Sequence, residues 1–236
     1  MDIFEAITTR RSVRKYLDTP IEWEKVSKIL EAARLAPSAG NVQEWKFVVV
    51  TQPELIKKMA EAAVSQRWME TAPIIIVICA KMEKITRYFG LRGERLYSIQ
   101  NCAIAATHMI LAARSLGLDT CWVGAFEENM VQRALGIPDD VRPQVILTLG
   151  YADEKPNPTY RLPIENMVYI NGYGGSKRIK DIGKVLWDHN YVGRAVASTQ
   201  TMAAAVEKKT SKQRKDIAAT IKEQVSKISK KIRPKD

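Results

Sequence analysis

The segment from Gly93 to Leu116, GERLYSIQNCAIAATHMILAARSL, is the feature that most constrains how this chain can fold. It is rich in alanine and has few charges in its middle, which predicts a long helix that ends at Gly117. A helix that is apolar nearly all round is unfavourable wherever it faces water. We therefore expect this helix in the centre of the protein, or in the centre of a dimer.

Helix and strand patterns alternate on both sides of this central segment. A helix over residues 2–10 takes Asp2 as its N-cap, and a second helix over residues 22–37 carries Trp23 on its apolar face. Further helices are predicted at PELIKKMAEAAVSQ and EENMVQRALGI, and strands at KFVVVT, IIIVICA, LDTCWVGAF and RPQVILTLGYAD. This interleaving, without a Rossmann GxGxxG or a Walker loop, predicts an α+β or α/β fold with a mixed central sheet flanked by helices.

The formal net charge of +11 is concentrated towards the C-terminal end of the sequence. Residues 1–170 carry 21 Lys and Arg against 20 Asp and Glu, so this part is nearly neutral. We interpret residues 171–197 as a connecting segment and residues 198–236 as a basic, amphipathic, helical extension. Its apolar stripe has helical spacing, at Ile217, Ile221, Val225, Ile228 and Ile232. Such a helix can lie on its own domain or on a dimer partner, or dock to an anionic partner such as nucleic acid or a membrane surface.

The few cysteines and histidines argue against a metal centre. Cys79, Cys102 and Cys121 stand in apolar surroundings without a CxxC motif, which predicts buried free thiols in a reducing compartment. His108 and His189 are too few and too far apart for a zinc or non-haem iron site. The acidic start MDIFEAI is not a signal peptide, and the apolar run APIIIVICA is too short to cross a bilayer. We expect a cytoplasmic protein with no metal.

Four basic residues surround one serine in TRRSVRKY, residues 9–16. In an extended segment Arg10, Ser12 and Arg14 share one face, while Arg11 and Val13 point elsewhere. Two guanidinium groups and a hydroxyl would then converge on one small anion, since the arginine fork matches phosphate oxygens. A solvated basic turn is the alternative interpretation of these residues taken alone.

Four motifs in this order and spacing make the chain similar to the FMN-dependent nitroreductase family over about residues 1–170. They are RRSVRKY, APSAGNVQEWKFVVV, SIQNCAIAATHMILAARSLGLDTCWVGAF and VILTLGYADEKP. The resemblance implies an α+β fold with a mixed central sheet, and an intertwined homodimer that binds two FMN molecules between its subunits. It also implies that NAD(P)H is the electron donor.

The resemblance also implies which residues bind FMN, and it assigns no acid–base catalytic side chain and no metal ligand. The loop PSAGN would come from the partner subunit, and the VGA segment would offer a backbone N–H to flavin N5. Arg14 would lie near the N1 and O2 edge, and a basic residue near the domain's end would hold the phosphate. The implied cofactor-binding residues are Arg10, Arg11, Ser12, Arg14, Pro37, Ser38, Ala39, Asn41, Gln43, Val123, Gly124, Ala125 and Arg161.

Glu44 departs from the family pattern, which usually has proline after this glutamine. We expect the added carboxylate to lie near the cleft and to alter which substrates enter.

The function implied is NAD(P)H-dependent reduction of nitroaromatics, quinones or flavins by a ping-pong hydride mechanism. Alternatives on the same FMN site are reductive dehalogenation and flavin cleavage. A different class of function is a flavin-containing binding protein whose basic C-terminal extension docks to nucleic acid or a membrane.

Overall fold

The computed structural model describes residues 1–169 and 171–173, and within them helices alternate with the strands of one sheet. The predicted C-terminal extension lies outside these residues. In chain order the elements are α1 Ile3–Thr9, α2 Trp23–Arg34, β1 Trp45–Val50, α3 Pro53–Ala62, β2 Ile74–Lys81, α4 Met82–Arg92, α5 Ser98–Ser115, β3 Asp119–Val123, α6 Glu128–Leu135 and β4 Val141–Gly150. These elements belong to one unit, Met1–Pro158, and a second unit begins at Thr159 and contains the short 3₁₀ turn Ile164–Asn166.

The four strands form an antiparallel sheet in the order β1-β2-β4-β3. The sheet has one bulge, between Ile78 and Cys79 of β2. Outside the named strands, Ser12 makes an isolated parallel bridge to Thr120 of β3. The predicted combination of helices and a central sheet is confirmed, and within the described residues its mixed character is confined to this parallel bridge.

Two apolar layers cover the two faces of the sheet. Alternate residues of β2 point to opposite faces, so Ile76 packs with α2 and α5 while Val77 packs with α3 and α6. Every residue from Ile74 to Ala80 is buried, which is why this strand reads as a continuous apolar run. The three cysteines are free and buried in the same core, as predicted.

The central helix predicted from Gly93 is present, but its α-helical part begins at Ser98. A π-helical turn, Gly93–Tyr97, precedes it. A side chain at Gly93 would place its Cβ 2.7 Å from the Ile85 carbonyl oxygen, so glycine permits this close approach. The predicted stop is confirmed, because Gly117 has a φ of +77° and directly follows the last turn.

Two features of the helices differ from the sequence prediction. Helix α4 was not predicted, and its pattern is weak because Ile85 is the buried residue among those it contributes. Trp23 was assigned to an apolar core face, yet it is 64% exposed. It is the first residue of α2, and the buried residues of this helix begin one turn later, at Val26.

Residues 10–17 run in extended form from the end of α1 along the edge of β3. The Val13 N–H donates to the Thr120 carbonyl at 3.1 Å, and the Leu17 N–H donates to the Tyr151 carbonyl at 2.9 Å. These bonds tie the segment to β3 and to the residue that follows β4. Val13 and Tyr16 point into the core, whereas Arg14 and Lys15 between them are exposed.

Tyr16 anchors this segment in the core. Its hydroxyl donates to the Val13 carbonyl at 2.7 Å and lies 2.7 Å from the Thr148 hydroxyl. Burial raises the pKa of Tyr16, so the phenol stays neutral. The segment is thus joined to β4 by side chain as well as by backbone.

None of the helices in the described residues is both long enough and apolar enough to cross a membrane.

We predict that Tyr16→Phe lowers the free energy of unfolding by about 1–3 kcal/mol, because it leaves buried hydrogen-bonding groups without a partner. Denaturant unfolding followed by circular dichroism would measure the change. Tyr160→Phe is the control, since this exposed tyrosine should cost less than about 0.5 kcal/mol. Equal effects of the two substitutions would contradict the anchoring role.

Candidate functional site

Arg10, Ser12 and Arg14 lie on the 10–17 segment, which the bridge between Ser12 and Thr120 places beside β3 and the thiol of Cys121. Burial raises the pKa of this thiol, and the charge of Arg14, a hydrogen bond with Ser12 and the charge of Arg10 each act to lower it. The charge of Glu154 acts in the opposite direction, so two cations, a hydroxyl and a carboxylate all influence this thiol. That Arg10, Ser12 and Arg14 share one face, as the alternation in the sequence implies, stays a prediction.

Arg14 is held by contacts that the sequence did not indicate. Its guanidinium carbon lies 5.8 Å from the ring centroid of Trp68, within the range of a cation–π interaction. Its backbone N–H donates to the carboxylate of Glu154. Both partners come from other elements, after α3 and after β4, so tertiary folding brings them here and no local motif marks them.

Arg11 turns away from this face. Its guanidinium donates to the Thr8 carbonyl at 2.9 Å and to the Arg10 carbonyl at 2.8 Å. It lines a cavity of about 720 Å³ on the other side of the segment, together with Arg114 and Lys155. The geometry therefore agrees with the alternation in the sequence, which points Arg11 elsewhere, and not with the family resemblance, which groups Arg11 with the cofactor-binding residues.

The predicted loop, residues 37–43, has an unusual backbone that its own side chains stabilise. Gly40, Asn41 and Gln43 have φ angles of +55°, +55° and +52°. The Gln43 N–H donates to the Ser38 hydroxyl at 3.1 Å, and the Gln43 side chain donates to the Asn41 carbonyl at 3.1 Å and its side-chain oxygen at 3.0 Å. Pro37 and Asn41 are exposed, so the loop presents an outer surface.

The loop is attached to the start of α5. The Ala39 N–H donates to the side-chain oxygen of Asn101 at 3.0 Å. Asn101 was not predicted as a site residue, although an amide in the apolar stretch QNCAIAA is a signal that could have indicated it. Gly40 packs against Phe89 of α4, whose ring would lie 2.9 Å from an added Cβ.

Glu44 does not expose its carboxylate, so it cannot contact an entering substrate in the way that the sequence suggested, and any effect on which substrates enter stays a prediction. Its side chain is 0% exposed and accepts a hydrogen bond from the Asn101 amide at 2.7 Å. The residue directly precedes β1, and its carbonyl accepts from the Lys81 N–H at 2.9 Å. Its carboxylate is therefore directed into the protein, where it meets no entering substrate.

Val123, Gly124 and Ala125 lie at the end of β3, the strand to which Ser12 is bridged. Val123 is buried in the core, whereas Gly124 and Ala125 are exposed. Within the described residues, the backbone N–H groups of these two exposed residues have no hydrogen-bond partner. They are available to an external acceptor.

The arginine segment and the 123–125 segment therefore both lie along β3. The 37–43 loop is attached near the start of α5, at the opposite end of that helix from the arginine segment. Arg114, near the end of α5, donates to Thr9 at 3.1 Å, next to the arginine segment. Asn101, which holds the 37–43 loop, lies 13 residues earlier on the same helix, about 20 Å along its axis. One protomer does not bring the loop and the arginines together.

Arg161 belongs to the second unit, where its side chain is exposed. Its contact with a phosphate stays a prediction. In residues 1–169 and 171–173, no group of three His, Cys, Asp or Glu side chains is placed to hold a metal ion.

Comparison with known proteins gives consistent matches to one family. The family model described as Nitroreductase family matches residues 7–66 and 61–151. A protein of Thermus thermophilus named NADH dehydrogenase is 30% identical over 195 residues, which cover 71% of this chain and 95% of the relative. An FMN reductase [NAD(P)H] of Bacillus subtilis is 32% identical over 189 residues, covering 73% of this chain and 74% of the relative.

Solved structures agree with this match. An FMN-dependent nitroreductase from Clostridium difficile R20291 superposes with a TM-score of 0.63 and 29% identity. The superposition covers 72% of this chain and 99% of that one. The shared part thus corresponds to the portion of the chain that contains the sheet and its helices.

We predict that Gly40→Ala destabilises the protein more than Gly136→Ala does. Both positions have positive φ, so each substitution costs about 1 kcal/mol of backbone strain. Only at Gly40 must a neighbouring ring also move, because nothing lies within 4 Å of an added Cβ at Gly136. Thermal unfolding of the two variants would measure the difference, and equal melting temperatures would contradict the close packing of the loop on Phe89.

Proposed function

The chain belongs to the nitroreductase family, and we propose on this premise that it transfers electrons from NAD(P)H to nitroaromatics, quinones or flavins with FMN as its prosthetic group. The observation that carries the proposal is that the segment with Arg10, Ser12 and Arg14 is hydrogen-bonded along the edge of β3, where its charges influence Cys121. When bound, FMN supplies the hydride chemistry. The donor and the acceptor would use the same face in turn, which is a ping-pong scheme.

The residues at this edge fit the phosphate end of FMN. A phosphate dianion needs several charge-assisted hydrogen bonds to offset its loss of hydration. Two guanidinium groups and one hydroxyl provide them, and the cation–π contact with Trp68 limits the freedom of Arg14. We assign Arg11 to the opposite side of the segment, away from this phosphate.

The end of β3 fits the reactive edge of the flavin. Gly124 has no side chain, so a flat ring can approach the backbone closely. The exposed N–H groups of Gly124 and Ala125 can donate to a ring nitrogen, and the positive charge of Arg14 can stabilise negative charge on the pyrimidine edge. No acid or base side chain is required, because binding and electrostatics are what the protein contributes.

A homodimer would complete the site. The 37–43 loop and the arginine segment are separated by most of α5, so a loop from a second subunit is needed to place them on one ligand. The surface beside α5 is suited to a partner, because it has exposed apolar residues around a cavity of about 470 Å³. Those residues are Met1, Ile3 and Leu35.

The three free, buried thiols are consistent with a protein that acts in the reducing cytoplasm.

We predict that Arg10→Ala and Arg14→Ala each weaken FMN binding by about 10- to 100-fold, the range expected for one charge-assisted hydrogen bond. Arg11→Ala is the matched control, because its guanidinium faces the other side of the same segment. Titration of the FMN-free protein, followed by flavin fluorescence, gives the affinities. Equal loss in all three variants would indicate that general basic charge, and not a defined face, attracts the cofactor.

The function itself is tested by the spectrum and the turnover of the purified full-length chain. We predict a yellow protein with two visible absorption bands and twice the mass of one chain, which oxidises NAD(P)H in proportion to added quinone. Parallel double-reciprocal plots would support the ping-pong scheme. A colourless monomer that does not take up FMN would overturn the proposal. Consumption of the bound flavin would instead indicate flavin cleavage, and halide release from a halogenated aromatic would indicate dehalogenation.

A further inference from the structure

A buried carboxylate lies directly behind the 37–43 loop. Glu44 is 0% exposed, and its Oε1 accepts a hydrogen bond from Asn101 Nδ2 at 2.7 Å. Its Oε2 is also buried and has no hydrogen-bond partner among the described residues. Burying a carboxylate this way is costly, so a compensating role is expected at this position.

The carboxylate determines how the amide of Asn101 is oriented. An amide has a donor end and an acceptor end, whereas a carboxylate only accepts. The Nδ2 group of Asn101 must therefore face Glu44, which leaves Oδ1 facing the Ala39 N–H at 3.0 Å. With the opposite orientation the amide would direct N–H groups at another N–H, and its oxygen at the carboxylate.

The backbone of Glu44 attaches this pair of hydrogen bonds to the sheet. Its carbonyl accepts from the Lys81 N–H at 2.9 Å, and the next residue, Trp45, begins β1 and pairs with Ala80 of β2. The link therefore runs from the sheet through Glu44 and Asn101 to Ala39 in the loop.

The loop requires such a support. Gly40, Asn41 and Gln43 all have positive φ, a conformation that is unfavourable for the two residues with side chains. Backbone of this kind persists where surrounding contacts hold it in place. Ala39 directly precedes the first of these positions.

We propose that Glu44 is a positioning residue, which acts through Asn101 to hold Ala39 and the 37–43 loop in the shape that covers the flavin. This inference rests on the proposed function for the role of the loop. The link from Glu44 to Ala39 does not depend on the ligand, so it can be tested separately.

The test compares Glu44→Met and Glu44→Gln with the wild type in the full-length protein, measured both with and without added FMN. Methionine fills a similar volume without a carboxylate, so the Asn101 amide loses its fixed orientation. We expect hydrogen exchange of the Ala39 amide to become at least 10-fold faster, while exchange of the Val77 amide in β2 stays unchanged. Glutamine keeps a carbonyl oxygen for Asn101, so exchange at Ala39 should remain within 2-fold of the wild type.

A second variant tests the same link from the other side. Asn101→Leu should accelerate exchange at Ala39 as Glu44→Met does, and the double variant should show no further acceleration. If Glu44→Met does not fold, Asn101→Leu and Glu44→Gln provide the comparison. Unchanged exchange at Ala39, or equal acceleration at Val77, would overturn the inference.

The affinity for FMN connects the link to function. Glu44→Met should bind FMN about 5- to 30-fold more weakly than the wild type, and Glu44→Gln about as tightly. If the wild type binds FMN and Glu44→Met binds it equally well, the positioning role fails while the proposed function stands. If the wild type itself binds no FMN, the proposed function fails, and the exchange at Ala39 still decides whether Glu44 holds the loop.

Discussion

The hydrogen bonds that fix residues 10–17 along β3 determine which charges this protein can present to a ligand. In an extended segment, a shift of one residue reverses the direction of every side chain. The bridge between Ser12 and Thr120, and the buried hydroxyl of Tyr16, set that register. As a result the charges of Arg10 and Arg14 both influence Cys121, while the Arg11 guanidinium bonds back to the end of α1 and lines a separate cavity.

The sequence predicted most of the elements, because their apolar periodicity follows directly from burial. The strand Ile74–Lys81 is apolar on both faces, and it is covered on both faces in the structure. Helix α4 was not predicted, because a helix that buries little of its surface needs no regular apolar pattern in its sequence. Trp23 was assigned to the core by periodicity, which gives the direction of a side chain but not whether a neighbour reaches it.

The candidate site likewise combines features that local sequence predicts with features that depend on distant parts of the chain. The prediction that Arg10 and Arg14 share a face uses only alternation within one segment, which is local information. The contacts of Arg14 with Trp68 and Glu154 join parts of the chain that are far apart in sequence, so no local pattern could indicate them. The environment of Glu44 was misjudged for this reason, because its burial depends on α5 lying against it.

Polar groups in the interior have a specific purpose here. Asn101 directly precedes the apolar run CAIAA in α5. The oxygen of its side-chain amide accepts a hydrogen bond from the loop. Thr148 in β4 and Tyr16 play a comparable part for the arginine segment. In both cases a buried hydrogen bond turns a rigid core element into a support for an irregular surface segment.

The length of helix α5 consequently fixes the distance between the loop that Asn101 holds and the segment that Arg114 contacts. In the proposed dimer, each ligand takes its loop from one copy and its arginines from the other, and the helix sets the span between them. One inserted residue would lengthen the helix by about 1.5 Å and rotate its end by about 100°. Both centres would then lose their alignment together, so changes in chain length are tolerable in the surface connections and intolerable between Asn101 and Arg114.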